Sequence, residues 1–143
     1  MQHEDHFART HYGVFYPINT RWHDNDIYGH VNNVTYYSYF DSAVNRYLIE
    51  EGGLDIHRAP VVAFVVNSSC DYRAPLAYPQ QLEVGVRVEK LGNSSVVYRV
   101  GIFAEGKAQA AASGSFTHVF IAREDNRSTP IPAGIRAVLE KIA

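Results

Sequence analysis

Several side chains able to carry out acid–base or metal chemistry lie close together in residues 23–30. They are His23, Asp24, Asp26 and His30. Gly29 supplies a bend, and the asparagines at 32 and 33 are typical of a helix N-terminus. A carboxylate is a base or nucleophile, and the free N–H groups and positive dipole end of a helix start stabilise an oxyanion. This combination suits acyl transfer.

The length and composition of the chain limit its domain count, its partners and its compartment. The chain has 143 residues, is 46% apolar and carries a formal net charge of -2, which fits one domain without a nucleic-acid or basic membrane surface. Its single cysteine, Cys70, excludes an internal disulfide framework and favours a reducing compartment. No signal-peptide or transmembrane pattern is visible, so we expect a soluble cytoplasmic protein. Residues 1–12, which contain His3, His6 and His11, are expected to form a mobile tail.

The elements that must position the loop follow from changes in hydrophobic period. A first strand is expected over residues 13–22, with Pro17 favouring an edge or a bulge. Asn32 or Asn33 then caps a helix to about Glu51, and Gly52-Gly53 ends it. Further strands are predicted over 61–72, 82–89, 96–104 and 107–122, and a terminal helix over 134–142.

This order predicts an α+β fold in which a long helix packs on one face of a five-stranded antiparallel sheet. The helix is rich in tyrosine, and its apolar stripe is broad. One face of one sheet does not cover such a helix fully, so a partner subunit is expected. Most of the helix tyrosines are expected in the core, with one or two lining an acyl pocket.

The loop also matches a known family. Residues 24–33 read DNDIYGHVNN, followed by Tyr36 and Phe40. This resembles the Asp-x-Asp-x-x-Gly segment of hotdog-fold acyl-CoA thioesterases, in the 4-hydroxybenzoyl-CoA thioesterase-like group. The likeness continues in order along nearly the whole chain, at CDYRAPL (70–76), LEV (82–84), GNSS (92–95), THVFI (117–121) and PIP (130–132).

The resemblance implies a hotdog fold over residues 1–143, a thioester hydrolase without a cofactor, and a homodimer or homotetramer. It implies that Asp26 is the catalytic carboxylate, as nucleophile or general base, and that the Asn33 backbone N–H holds the thioester carbonyl. His30 is expected to support them. Tyr36 is expected to contact substrate, and Arg73 and Arg127 are candidates for the phosphates of coenzyme A.

One departure limits what the resemblance implies. Residues 27–31 read IYGHV, whereas the 4-hydroxybenzoyl-CoA enzyme has Pro-Ala-Gly-Ile-Val after its catalytic Asp. The resemblance therefore does not imply a hydroxybenzoyl substrate for this chain. The acyl group, and the choice between coenzyme A and an acyl-carrier protein, stay open.

Other interpretations of the same residues remain. Asp26 is also explained as a loop carboxylate bonding nearby N–H groups, and Asp24 as a residue that orders the bend. His23, Asp26 and His30 are competent metal ligands, but their spacing matches neither an i,i+4 helical histidine pair nor a known zinc finger, and the loop supplies no clear fourth ligand, so no metal is expected. Hydratases that act on acyl thioesters have the same fold, although this chain lacks their Asp-x-Asn-Pro-x-His motif. A non-catalytic acyl-binding module is the third alternative.

Overall fold

The structure is a computed structural model and describes residues 5–143. A short 3-10 turn, Arg9–His11, precedes strand β1, and a second turn, Trp22–Asp24, precedes the long helix α1. The strands and helices are β1 (Val14–Asn19), α1 (Asn33–Glu50), β2 (Val61–Tyr72), β3 (Gln81–Leu91), β4 (Ser95–Ala104), β5 (Ala112–Ala122) and α2 (Ala133–Glu140). The five strands form one antiparallel sheet in the order β1-β3-β4-β5-β2, which confirms the predicted α+β architecture.

The two edges of this sheet differ. β1 has six residues and pairs with β3, with Pro17 opposite Glu83. Because β1 is an edge strand, the edge position predicted for Pro17 is confirmed. Proline is tolerated there because its missing N–H removes no hydrogen bond from the interior of the sheet. The other edge is β2, with twelve residues, and a register shift between Val65 and Asn67 interrupts its pairing with β5.

Helix α1 packs on the inner face of the sheet. Its buried residues recur at three- and four-residue spacing and are Tyr36, Tyr39, Phe40, Ala43, Val44, Tyr47 and Leu48. They join the inward-facing residues of β3, β4 and β5 in one hydrophobic core that extends from Tyr16 to Ile142. The helix ends as predicted, because Gly53 takes a positive φ of 65° and Leu54 N–H bonds the Leu48 carbonyl.

One glycine allows the close approach between α1 and β5. A Cβ built at Gly114 would lie 2.6 Å from Cε2 of Phe40 and 2.1 Å from the Ser69 carbonyl oxygen. A side chain at position 114 is therefore incompatible with this packing, and the bulk of Phe40 occupies the space instead.

Most of the cover of α1 comes from its own chain. The Tyr47 hydroxyl donates to the Val138 carbonyl of α2, and the outer face of α1 carries exposed polar residues such as Ser38 and Asp41. Two apolar side chains of α1, Val34 and Ile49, nevertheless stay 65% and 42% exposed, so this chain does not cover the helix completely. Three consecutive exposed apolar side chains also lie on β2, where Phe64, Val65 and Val66 are 52%, 46% and 59% exposed.

The N-terminal segment differs from the mobile tail expected over residues 1–12. Residues 1–4, including His3, lie outside the described residues. From Asp5 onward the chain packs on the outer face of the sheet, where Phe7 and Tyr12 are buried with Phe103 and Ala110. Backbone bonds from Arg9 to Ala108 and from Ala110 to Phe7 hold it there. These contacts join residues about a hundred positions apart, and local patterning does not reveal them.

Two predicted strand limits were wrong by three residues or more. The sequence predicts residues 107–111 as part of the last strand, but β5 begins at Ala112, because Lys107, Ala108 and Ala110 bond the N-terminal segment after a turn at Gly106. The first strand ends at Asn19 rather than Trp22, where a 3-10 turn begins. Within residues 5–143, no helix is long and apolar enough to cross a membrane.

Candidate active site

Asp24 anchors the loop that precedes α1. Its carboxylate is 1% exposed and accepts hydrogen bonds from the Arg21 backbone N–H at 2.9 Å and the Tyr39 hydroxyl at 2.8 Å. The Arg21 guanidinium donates to the other oxygen at 2.9 Å and 3.1 Å. Burial alone would raise the pKa of the Asp24 carboxyl, but the hydrogen bonds from Arg21 and Tyr39 outweigh it and lower the pKa. Asp24 therefore orders the bend, as predicted.

Asp26 sits at the tip of this loop and is half-buried. Its backbone N–H bonds the His30 carbonyl, its carbonyl accepts from Gly29 N–H, and Gly29 has a φ of 82°. The Tyr28 backbone N–H donates to Asp26 Oδ1 at 2.8 Å. This turn needs the left-handed conformation that glycine adopts without strain, and it fixes the position of the Asp26 carboxylate.

The helix start lies next to this turn. Asn32 is the N-cap, and its side-chain oxygen accepts from Val34 N–H at 3.2 Å while its carbonyl accepts from Thr35 N–H. None of the hydrogen bonds found among residues 5–143 uses the Asn33 N–H. This N–H is thus available to an oxyanion at the positive end of the helix dipole.

Asp26 and the helix start line one open groove of about 510 Å³. The wall opposite them is the end of β2 and the loop after it, where Tyr72, Arg73 and Pro75 lie. The whole lining is Asp26, Tyr28, His30, Val31, Asn32, Asn33, Tyr36, Tyr72, Arg73, Ala74 and Pro75. The structure thus brings together all but one of the predicted site residues; the exception is Arg127.

Tyr72 is a groove residue that the sequence reasoning missed. Its ring meets Tyr36 edge-on with centroids 4.9 Å apart, and its hydroxyl donates to the Asn33 carbonyl at 3.4 Å. Burial raises the pKa of the Tyr72 hydroxyl, and so does its hydrogen bonding with Cys70 and Tyr37, so it stays protonated as a donor. The only sequence signal that Tyr72 lines the groove is its position at the end of a strand, two residues before Ala74-Pro75.

Arg73 stacks on an aromatic ring of the N-terminal segment. Its guanidinium carbon lies 3.7 Å from the centre of the Phe7 ring. Arg73 also lines an adjoining cavity of about 610 Å³ with Lys107 and Gln109. An arginine stacked in this way loses less freedom when it binds a phosphate, so the pair Arg73 and Lys107 is suited to a polyanionic group.

Arg127 lies away from this groove. It follows β5, where its carbonyl accepts from Ala122 N–H. Ala122 pairs with Val61, whereas the groove lies beside Tyr72 at the opposite end of β2. Within one chain the structure does not bring Arg127 to the other candidate residues.

The metal interpretation of the loop finds no support in the geometry. His23, Asp26 and His30 are not among the described residues that bring three ligand atoms within 4.8 Å of one another. His23 lies on the other side of Asp26, with Trp22 and Ile27, whereas His30 lines the groove.

Cys70 lies in β2 and is half-buried. Burial raises the pKa of its thiol to about 11, so the thiol is protonated at neutral pH. A protonated thiol is a poor nucleophile, which leaves Asp26 as the reactive candidate in the groove.

The sequence profile of the thioesterase-like superfamily matches residues 20–139. The chain belongs to this superfamily. The match covers the whole loop, α1 and the five-stranded sheet apart from β1. This thioesterase is a thioester hydrolase with the hotdog fold, as the resemblance implied.

Individual relatives agree with this assignment. The thioesterase is similar to the PA5185 protein of Pseudomonas aeruginosa, with 57% identity, a TM-score of 0.93 and 94% of each chain covered. It is also similar to PA2801, a putative thioesterase of the same species, with 32% identity, a TM-score of 0.81, and coverage of 87% of this chain and 96% of the other. The long-chain acyl-CoA thioesterase FadM of Escherichia coli is 26% identical over 87% of this chain and 96% of its own.

Proposed function

We propose that this thioesterase hydrolyses acyl-CoA thioesters, with Asp26 as the reactive carboxylate and the Asn33 N–H as an oxyanion donor. The observation that carries the proposal is that both groups line one groove at the start of α1. The acyl-CoA class is supported by the activity named for the FadM relative and by the cationic Arg73 and Lys107 beside the groove.

The chemistry requires few groups. Water adds to the thioester carbonyl carbon as Asp26 accepts one of its protons, and the carbonyl oxygen takes the negative charge beside the Asn33 N–H. The C–S bond then breaks with its electron pair on sulfur, and the proton held by Asp26 passes to the thiolate. The products are the free acid and the thiol of coenzyme A. Because a thiolate leaves readily, no Ser-His-Asp triad is needed.

The direct route uses the same residue. Asp26 attacks the carbonyl carbon, the thiolate leaves, and water hydrolyses the resulting anhydride. Appearance of heavy oxygen in Asp26 after a single turnover in labelled water identifies this route. His30 lies beside Asp26 in the groove, and we assign it a supporting role in orienting water or substrate.

Replacement of the carboxylate by its amide tests the assignment. We expect Asp26→Asn to lower kcat by about 100-fold to 10,000-fold on the best acyl-CoA, because an amide neither accepts a proton nor attacks a carbonyl. Release of free thiol measures the rate, and circular dichroism verifies the fold. Asp41→Asn on the exposed face of α1 is the matched control and should keep full activity. Near-normal thiol release by Asp26→Asn would remove Asp26 from the mechanism.

The proposal includes a homodimer formed through β2. This edge strand exposes Phe64, Val65 and Val66, and an unpaired apolar edge favours pairing with a second copy. A symmetric antiparallel pairing of two β2 strands, centred between Val66 and Asn67, places Val61 of one copy opposite Tyr72 of the other. Arg127 follows the strand end that pairs with Val61, so this arrangement carries it toward the groove of the other copy.

The cytoplasmic location expected from the sequence stays part of this proposal. It is supported by the single cysteine, Cys70, because a chain without disulfides needs no oxidising compartment.

A further inference from the structure

Two histidines of the N-terminal segment meet a glutamate of β3 on the outer face of the sheet. We propose that His6, His11 and Glu89 bind a divalent transition-metal ion of the zinc type, which fastens the N-terminal segment to β3. One ligand atom from each of the three residues lies within 4.8 Å of the others. Zinc bonds of about 2.1 Å place two tetrahedral ligands roughly 3.4 Å apart, so small side-chain rotations bring these atoms to bonding positions.

The two histidines are held by their backbones rather than hanging on a loose strand. The Tyr12 hydroxyl donates to the His6 carbonyl, and Tyr12 itself is buried. The His11 N–H bonds the Ala8 carbonyl at 3.0 Å, and Arg87 Nη1 donates to the His11 carbonyl at 3.2 Å. The imidazole rings are half-buried, with centroids 5.0 Å apart. Ordering these side chains on metal binding therefore costs little backbone entropy.

A local irregularity presents Glu89 to the histidines. Val88 pairs with Tyr98 and Lys90 with Val97, so Glu89 is the extra residue of a β-bulge. Bulges turn a side chain away from the regular alternation. Arg99 Nε donates to Glu89 Oε2 at 3.0 Å and fixes the plane of the carboxylate, which has a second oxygen for an ion.

The donor set selects the kind of ion. Two imidazoles and one carboxylate suit Zn²⁺ and its neighbours in the first transition row, whereas Mg²⁺ and Ca²⁺ prefer oxygen ligands alone. Three protein ligands leave a fourth position for water. Arg99 adds a positive charge beside the site, which weakens cation binding, so we expect micromolar rather than nanomolar affinity.

Titration of the untagged, chelator-treated protein with Zn²⁺, monitored by calorimetry, tests the proposal. We expect one ion per chain, and cobalt absorption bands typical of nitrogen and oxygen ligands when Co²⁺ replaces Zn²⁺. His6→Ala and Glu89→Gln should each weaken binding at least tenfold. His57→Ala, at an exposed histidine in the loop between α1 and β2, is the matched control and should bind normally.

A second measurement keeps the result independent of activity. Zn²⁺ should raise the melting temperature of the wild-type protein and of Asp26→Asn, but not that of His6→Ala. Absence of stoichiometric binding, or unchanged binding in both His6→Ala and Glu89→Gln, would refute the site. Loss of binding only in His30→Ala would place the ion at the catalytic loop instead. His11→Ala is measured as a third variant. If His11→Ala does not fold, His6→Ala and Glu89→Gln decide the outcome.

Discussion

At the scale of single residues, two aspartates two positions apart have different surroundings. Asp24 is buried and has four hydrogen bonds from Arg21 and Tyr39, whereas Asp26 is half-buried and lines the groove. A carboxylate whose oxygens are taken by arginine and tyrosine is a poor base. The environment, and not the residue type, separates the structural acid from the reactive candidate.

His118 makes the stability of the protein depend on pH. It lies in the core between Tyr98 and Phe116, with ring centroids 5.3 Å from each, and burial lowers its pKa to about 4. No hydrogen-bond partner among residues 5–143 reaches its Nδ1 or the Tyr98 hydroxyl. The unfolded chain takes up the proton near pH 6.5, and the folded protein only near pH 4, so folding weakens as the pH falls between these values.

We therefore expect the free energy of unfolding to fall by about 2 kcal/mol between pH 7 and pH 5 through His118 alone. Urea denaturation at the two pH values measures it. His118→Met removes the titrating group and should show a correspondingly smaller drop, with carboxylates and other histidines contributing equally to both proteins. An identical drop in the two proteins would contradict the buried neutral imidazole.

At the scale of elements, the N-terminal segment is a support for the groove wall. Phe7 lies under the Arg73 guanidinium, and the segment that carries it bonds Ala108 and Ala110. Arg73 borders both the groove and the adjoining cationic cavity. The orientation of a substrate-binding candidate thus depends on residues far from it in sequence.

Phe7→Leu isolates this support because it keeps an apolar side chain and removes the ring face. We expect KM for acyl-CoA to rise between about 2-fold and 10-fold with kcat little changed, the range given by loss of a cation–π contact. Phe15→Leu, whose ring lies under Arg9 at 4.8 Å, is the matched control and should leave KM unchanged. In an Arg73→Ala background Phe7→Leu should add nothing; an additive effect would contradict the support role.

The elements also show what the sequence could predict. The cap at Asn32, the stop at Gly52-Gly53 and the alternation of β3 are local signals, and each element formed where these signals lie. The clustering of Asp26 with the helix start follows from the same local segment. The packing of Phe7, the wall at Tyr72 and the position of Arg127 depend on contacts across the sheet, such as Arg9 to Lys107, which no local pattern encodes.

At the scale of the whole molecule, β2 is the surface through which the proposed dimer forms. We expect Val65→Lys to weaken the dimer at least 100-fold, because a charge at a buried strand edge stays without a partner. Sedimentation velocity across a concentration series measures the change. Asn19→Lys, at the exposed β1 edge, is the matched control and should leave the oligomer intact. Dissociation by Asn19→Lys but not by Val65→Lys would assign the interface to β1 instead.

The inequality of the two sheet edges limits how far such an assembly can grow. Pairing of two β2 strands produces a ten-stranded sheet whose outer strands are both β1. Each of these is short and contains Pro17, which lacks an N–H for a further ladder. Addition of a third sheet is thereby blocked at both ends, so the proposed β2 dimer is a closed pair rather than the start of a growing fibre.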